Sequence, residues 1–567
     1  MMNPITEFTT GKTMNAPSKP RIKPLTLLMA FATPMLFSNM VPALSLQEAT
    51  GLAIKNSPTI MTEGINVKLK GADMDIAYKF FDPKLEAEYM KTSLGGFEYP
   101  DELEKMSLAS LGPNTNSQTS FLPDNVRTDD LKLSLKKMFL NGLYTELAIN
   151  LTQRNSEREK LAGSDAIDAL NNGGMKRSIN DYFPFTYGVM KFVTRVPLWG
   201  RGDLAEGIGD YESKKLKYDA AIANMNHAIS SILASAVYAY WDNRAAAAKY
   251  QLRKDSLVRA ERWYTHIIEI INKMKNAEAI KTQSSELNRI EGYVQEKRKD
   301  MNNAETELSQ SRSALANALG LSMDKATTMG DANDPLPQVE INHKLIDPNE
   351  WNKMALTNRL DIQSLKLEDQ AADELLKWMK DYDKPELNLV LAVHQQMVDF
   401  GKDRLVNNYI DTIENTSGKL GYTVGLQYTQ VLGKTAAKGR ITQATLNKMK
   451  NQIALNNTIR KTNIDLKALA EKVSSTISTA ESAAQSAHAY QRSVNAAVAD
   501  KSQTFATAFR QFDTERDWIN GEADLINAQA TLAKVIVEVR HQTATLIQQT
   551  NDSSQIKLQD IITLPGN

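Results

Sequence analysis

One segment of the chain is echoed 302 residues later. Ala53-Ile-Lys-Asn56-Ser-Pro-Thr-Ile60 returns as Ala355-Leu-Thr-Asn358-Arg-Leu-Asp-Ile362. At the same offset, Asp82-Pro83-Lys-Leu85 returns as Lys384-Pro385-Glu-Leu387. An offset held over about 30 residues points to a duplicated unit in which a helix runs into a strand, and such a repeat sets the architecture before any site can be read. It favours a symmetric assembly over an enzyme.

Periodicity fills in the unit. Residues 46–80 read as helix up to Asp82-Pro83, and Leu85, Ala87 and Tyr89 then alternate as in a strand. A polar loop is expected over about 93–130. Leu131, Leu133 and Leu135 alternate, Asn141-Gly142 supplies a hairpin turn, and Thr145 to Leu151 alternate again. After a second polar loop, a strand over about 186–196 ends in Pro197-Leu-Trp199-Gly200-Arg-Gly202, a strand-to-helix turn. A proline-free helix follows from about 205 to 270, roughly 100 Å long at 1.5 Å per residue. After a break near Lys273–Ala279, a partner of about 41 residues runs to Gly320, and a linker with Pro335, Pro337 and Pro348 closes the half.

The second half repeats the scheme: a helix at about 350–381, strands at 387–397 and 420–431, a turn marked by Gly433, and a helix from about 435 to 510. A break near 512–521 precedes a last helix to about 549. In each half a short helix stacked on the shorter hairpin arm matches the long arm, giving paired rods. The predicted domains are thus residues 44–349 and 350–550, with a tail at 551–567.

Composition limits what such rods can do. The 567 residues carry 67 basic and 67 acidic side chains, which gives no drive toward nucleic acid. With no cysteine, disulfides, thiolate metal sites and cysteine nucleophiles are excluded. The six histidines lie apart, without metal-protease spacing, and no nucleophile elbow or phosphate loop occurs. No catalytic group, metal or cofactor is expected. Gly200-Arg-Gly202-Asp203 fits a chain turn better than a nucleotide loop or an adhesion motif.

Arg21 and Lys23 precede an apolar run from Leu25 to Phe37, and Val41-Pro42-Ala43 supplies small residues, so residues 1–43 read as a secretory signal. No later stretch offers the ~18 apolar residues of a membrane helix. The strands remain a possible membrane crossing. Too few to close a barrel alone, they require several copies of the chain, because open edges are not tolerated in lipid.

This layout resembles the TolC family of outer-membrane channel-tunnels over roughly residues 44–550. Leu44-Ser-Leu46-Gln-Glu48-Ala49 with Ala53, Asn56 and Pro58 is similar to the family's opening helix. Val196-Pro197-Leu198-Trp199-Gly200-Arg201-Gly202 is similar to its strand-to-helix turn. Ala314-Leu-Ala-Asn-Ala-Leu-Gly-Leu321 and Asp524-Leu-Ile-Asn527-Ala528-Gln529 resemble hairpin segments. The resemblance implies a mainly α fold with a membrane β-barrel, built as a homotrimer. Its strands would sit in outer-membrane lipid and its helices in the periplasm of a Gram-negative bacterium. The partners implied are a periplasmic adaptor and an inner-membrane transporter, ABC-type or proton-driven. Such a duct is passive and serves tripartite efflux or type I secretion. A second reading is an exported structural coiled-coil protein without a pore.

The family closes its periplasmic end with acidic rings, commonly two aspartates three apart. Here the matching positions are Asp524 and Asn527, so one charge is missing, and Asn520 stands where some members have an arginine. Asp513, Glu515 and Asp517 cluster at the expected break. Trimerised, they would form carboxylate rings that attract cations; otherwise they are a solvated helix start favoured by the dipole. Glu286, in Glu286-Leu-Asn288-Arg289, is a candidate on the first hairpin. Tyr187, Trp199, Tyr422 and Tyr428 could form interfacial girdles or pack ordinarily. The hairpin at 131–153 exceeds two strands per repeat. It could raise a trimeric barrel from 12 strands toward 18 or form a separate ribbon; the reading favours 12.

Overall fold

The computed structural model describes residues 43–94, 125–157, 185–273, 277–322, 325, 329–337, 346–399, 412–413, 418–499, 505–546 and 563–565. Helices α1 (Leu46–Asn56) and α2 (Pro58–Tyr78) lead to strands β1 (Lys84–Leu94), β2 (Asn125–Met138), β3 (Tyr144–Glu157) and β4 (Phe185–Trp199). Helices α3 (Asp203–Lys273), α4 (Ala277–Ala318), α5 (Pro348–Asn358) and α6 (Leu360–Tyr382) follow. Strands β5 (Glu386–Asp399) and β6 (Leu420–Thr429) then precede helices α7 (Thr435–Ala499) and α8 (Phe505–Gln542).

The 302-residue offset recurs in the elements themselves. It separates Leu46 from Pro348 at the starts of α1 and α5, and Lys84 from Glu386 at the starts of β1 and β5. Each expected single helix is in fact two, interrupted at Ser57 (φ −66°, ψ 118°) and Arg359 (φ −63°, ψ 120°), whose N–H groups bond Ala53 O and Ala355 O. Pro58 explains the first interruption, since the residue before proline is driven out of the helical region. Arg359 has no proline after it. Its guanidinium instead grips Asp361 through two hydrogen bonds and reaches Gln542 Oε1 at 2.6 Å.

The chain forms two compact units, each drawn from both halves of the sequence. One unit (residues 1–72, 215–371 and 449–567) is helical. It holds two similar cores. In the first, Leu46, Ala49 and Ala53 of α1 pack with Leu233, Val237, Tyr240 and Trp241 of α3, and with Leu315 and Leu319 of α4. Asp334 pins the start of α1, accepting from Leu46 N at 2.7 Å and from Tyr240 Oη at 2.6 Å. In the second core, Trp351 and Ala355 of α5 pack with Leu466, Leu469, Ala470 and Val473 of α7, and with Leu532 and Ile536 of α8. A stretch within Asp203–Glu269 is long and apolar enough to cross a membrane by length and composition, contrary to the sequence reading, but half of it is buried inside the protein, as in a core helix.

The other unit (residues 73–214 and 372–448) contains one antiparallel sheet of six strands in the order β1-β2-β3-β4-β5-β6. The hairpin at 131–153 is therefore part of this one sheet, so the first repeat supplies four strands and the second two. Hairpin β2–β3 lies inside the sheet, paired to β1 on one side and β4 on the other. The reason is side-chain phase. Leu131, Leu133 and Leu135 stand opposite Tyr89, Ala87 and Leu85 on one flank, and opposite Leu151, Ile149 and Leu147 on the other. A slip of one residue would turn every leucine to the other face.

Candidate functional site: a two-faced sheet and a polar helical stripe

The apolar phase continues across the whole sheet. Ile149 and Leu147 stand opposite Met190 and Phe192, Phe192 opposite Val393, and Leu389, Leu391 and Val393 opposite Leu426, Val424 and Tyr422. Most of these side chains are exposed, Tyr422 at 81% and Leu426 at 69%. The opposite face is polar. Glu86, Ser134, Ala148, Lys191 and His394 form one row, and Glu88, Lys132, Asn150, Val189 and Gln396 the next. Its charges are paired locally: Lys136 with Glu86, and Arg195 with the ring of Tyr144 at 5.1 Å. Apolar residues kept in one phase through the sheet, with charged and amide side chains concentrated on the other face, are the pattern of a sheet with lipid on one side and water on the other, although β4 also carries Tyr187, Val189 and Val193 on that second face. The aromatic candidates divide between the faces. Tyr422 and Tyr428 lie on the apolar face, and Trp199 joins them beside Leu387, whereas Tyr187 faces the polar side opposite Thr152.

The sheet's two ends differ. Three long connections, over residues 95–124, 158–184 and 400–419, leave one end. The other end leads to the close of α2 and α6 and the starts of α3 and α7, and carries one tight turn. There Gly142 (φ +91°) permits Phe139 to accept from Gly142 N and to donate to Leu143 O. A Cβ on Gly142 would lie 2.8 Å from Pro197 Cγ, so this turn is seated on the strand-to-helix turn of β4. Pro197 sits at a register shift, where a strand tolerates proline. Gly200 (φ +60°) approaches the Pro385 carbonyl too closely for any Cβ, and Gly202 (φ +49°) holds a left-handed backbone beside the Glu386 side chain. Gly433 differs: its φ is ordinary and its surroundings are open, so the turn before α7 does not depend on glycine.

In the helical unit the expected break at 512–521 is absent. Helix α7 is described to Ala499 and α8 from Phe505, and Asp513, Glu515 and Asp517 lie within α8. The acidic cluster could be mistaken for a helix start, but its acids lie on different faces. Glu515 is buried, and its Oε1 accepts from Arg259 Nε at 2.7 Å. The Arg259 guanidinium also lies 5.4 Å from the Trp518 ring. Buried Lys297 sits over the Tyr293 ring at 4.7 Å, and Arg253 reaches Asn520 Oδ1 at 3.1 Å. Burial raises the Glu515 pKa despite Arg259, and burial lowers that of Lys297. Glu515 is thus committed to bracing α8 against α3, not to a ring of solvated carboxylates. Arg253, Arg259, Tyr293 and Lys297 were not singled out from sequence. Arg259 and Glu515 are 256 positions apart, and no local pattern joins them.

The remaining candidates share a stripe. Asp513, Asp517, Asn520, Asp524 and Asn527 are all exposed, at alternating spacings of four and three, which keeps them on one face of α8. Asp517, Asn520, Asp524 and Asn527 line a groove of about 690 Å³ opposite Ser475, Thr479, Ser482 and Ser486 of α7. Gly521 lets the helices close there: a Cβ would lie 2.8 Å from Tyr490. Asp513 and Asp517 both pair loosely with Arg516, at 3.4 and 3.9 Å. The Glu286 side chain lies outside the described residues.

No family model matches the chain, and no curated protein matches it by sequence. Solved structures do match its fold. The open-state MtrE outer-membrane channel of Neisseria gonorrhoeae is 14% identical with a TM-score of 0.53, covering 88% of this chain and 88% of its own. The outer-membrane protein VceC of Vibrio cholerae is 13% identical with a TM-score of 0.52, covering 88% of this chain and 95% of its own. The CmeC outer-membrane channel of Campylobacter jejuni is 14% identical with a TM-score of 0.51, covering 92% of this chain and 89% of its own. The chain therefore has the fold of the outer-membrane channel proteins, mostly helical with an antiparallel sheet. The TolC-like resemblance drawn from the sequence holds at the level of fold.

Proposed function

We propose that three copies of this chain form a passive duct through the outer membrane of a Gram-negative bacterium, with the helices in the periplasm. The observation that carries this reading is the sheet: apolar residues in one phase across its strands, and edge strands β1 and β6 that have no further strand partner among the described residues. Lipid would cover the face, and neighbouring copies would cover the edges. Trp199 and Tyr428 would then stand at headgroup level near the helical end.

Exposed apolar stripes on the helices support the same assembly. Met61, Ile65 and Leu69 form one on α2, and Leu446, Met449 and Ile453 form another on α7. Both have the spacing of a helix–helix seam. The two halves, residues 44–349 and 350–550, are read as duplicated copies, and neither closes a tunnel alone. The duct would take its cargo from an inner-membrane transporter through a periplasmic adaptor at the hairpin ends, in efflux or type I secretion.

Purified protein in a planar bilayer should give discrete channels; their consistent absence would remove the duct reading. The exposed aspartates of α8 are read as lumenal rings that concentrate cations. Asp524→Ala and Asp513→Ala should each change single-channel conductance or block by divalent cations. Unchanged behaviour in both would end the acidic-ring proposal while leaving the duct.

A further inference from the structure

The geometry points to a barrel of 18 strands, six from each of three copies, in which hairpin β2–β3 is part of the membrane wall. The inference rests on the duct reading and adds the composition and width of its membrane section.

The sheet runs continuously through the hairpin. A hairpin outside the wall would require β1 to pair with β4 directly. Instead β1 is paired along its full length to β2, and β3 is paired to β4 over eleven positions. The hairpin's apolar residues fall in the same rows as those of β1, β4, β5 and β6, so all six strands contribute to one apolar band, interrupted at Gln395 and Thr194. A ribbon in water would have no reason to hold Leu133, Leu135 and Leu147 exposed on that face.

The strand count per copy is even, so β1 and β6 run in opposite directions, and β6 of one copy meets β1 of the next as an antiparallel pair. Three copies joined in this way leave no edge, as lipid requires. The connections also agree. The tight turn at Asn141-Gly142 lies at the helical end, and the three long connections lie at the other, matching the short periplasmic and long external loops of outer-membrane barrels.

With strands ~4.8 Å apart and tilted ~40°, 18 strands enclose a wall about 36 Å across, against about 24 Å for 12. The membrane section would then have roughly twice the cross-section of a 12-stranded one, within the size range where barrels keep an aqueous lumen. Cargo would be selected elsewhere in the duct.

The absence of cysteine makes the test clean, because each introduced thiol is the only one. Single variants Leu133→Cys, Ile149→Cys and Val424→Cys, with Lys132→Cys and Asn150→Cys from the opposite face, are labelled with bimane. Each is reconstituted in phosphatidylcholine vesicles with or without brominated acyl chains. Labels at 133, 149 and 424 should lose at least half of their fluorescence in brominated lipid, and labels at 132 and 150 should be unchanged. Quenching at 424 without quenching at 133 and 149 would overturn the 18-stranded wall and leave the duct reading intact. No quenching at 424 would remove membrane insertion itself, and this inference with it. Where a variant fails to assemble, end-on electron-microscopy averages of the unlabelled wild-type oligomer decide the same point. A wall near 36 Å supports the inference, and one near 24 Å refutes it.

Discussion

The two copies of the repeat share a backbone but not the chemistry that anchors it. Both begin with an 11-residue helix, break at one residue, and resume toward a strand. In the first copy the buried position 49 is alanine, and the aromatic bulk comes from Tyr240 and Trp241 on α3. In the second, the matching position is Trp351, and α7 answers with Leu469, Ala470 and Val473. Large meets small in both cores, with the sides exchanged. The breaks differ likewise: Ser57 caps with its hydroxyl, whereas Arg359 ties α5 and α6 to α8 through Gln542. A duplicated scaffold thus keeps the dihedral angles of its break while its individual contacts diverge.

Truncating the large partner tests whether the cores are equivalent. Trp351→Ala and Trp241→Ala should each cost about 3–5 kcal/mol, read as a loss in the denaturation midpoint. If only one of the pair is destabilising, the cores are not energetic counterparts.

The second comparison is between strands belonging to both copies and the hairpin that only the first carries. Leu133→Arg on β2 and Leu391→Arg on β5 should each cost about 2–4 kcal/mol in lipid, measured by unfolding from vesicles. A penalty at 391 without one at 133 would place the hairpin out of the bilayer.

The chemistry at the second break gives a pH dependence. His541 stacks on His227 at 5.6 Å, bonds Ser230 at 2.9 Å, and lies in a cluster with Arg359 and Asp361. Burial, then the neighbouring His227 and Arg359, lower its pKa to about 4, and burial lowers that of His227 as well. The folded state therefore resists protonation that the unfolded chain accepts near 6.5. The stability is complete above pH 6.5 and is lost as the pH falls from there toward 4, by on the order of 2–3 kcal/mol. His541→Gln should flatten the melting temperature across that window, and an unchanged slope would assign the acid sensitivity to other groups.

The smallest effects separate the two strand-to-helix turns. Gly200→Ala should cost at least ~1 kcal/mol, because a left-handed residue gains a Cβ pressed on the Pro385 carbonyl. Gly433→Ala should fall within about 0.5 kcal/mol of wild type, because nothing surrounds it. Equal effects at both sites would mean that the backbone relaxes around Gly200.

Much of this was legible in the sequence where the signal is local. Alternation located five of the six strands and an apolar β-branched run located β4, Asn141-Gly142 located the tight turn, and the 302-residue echo matched starts of helices and strands to the residue. The reading failed where local chemistry had two meanings. Asp513 to Asp517 resemble a helix start, yet the helix runs through them. Glu515 is buried against Arg259 while Asp513 and Asp517 face solvent, and only the position of Arg259 decides that.

The sequence alone determined which segments are helix and strand, which strand residues share a face, and that a unit is repeated. Each of these follows from the fixed 3.6- and 2-residue periods of the backbone. Tertiary structure decided that β2–β3 enters the sheet, that Glu515 braces rather than lines, and which face of α8 is presented. Those outcomes depend on partners tens to hundreds of residues away, and a pattern along the chain carries no information about which distant side chain satisfies it.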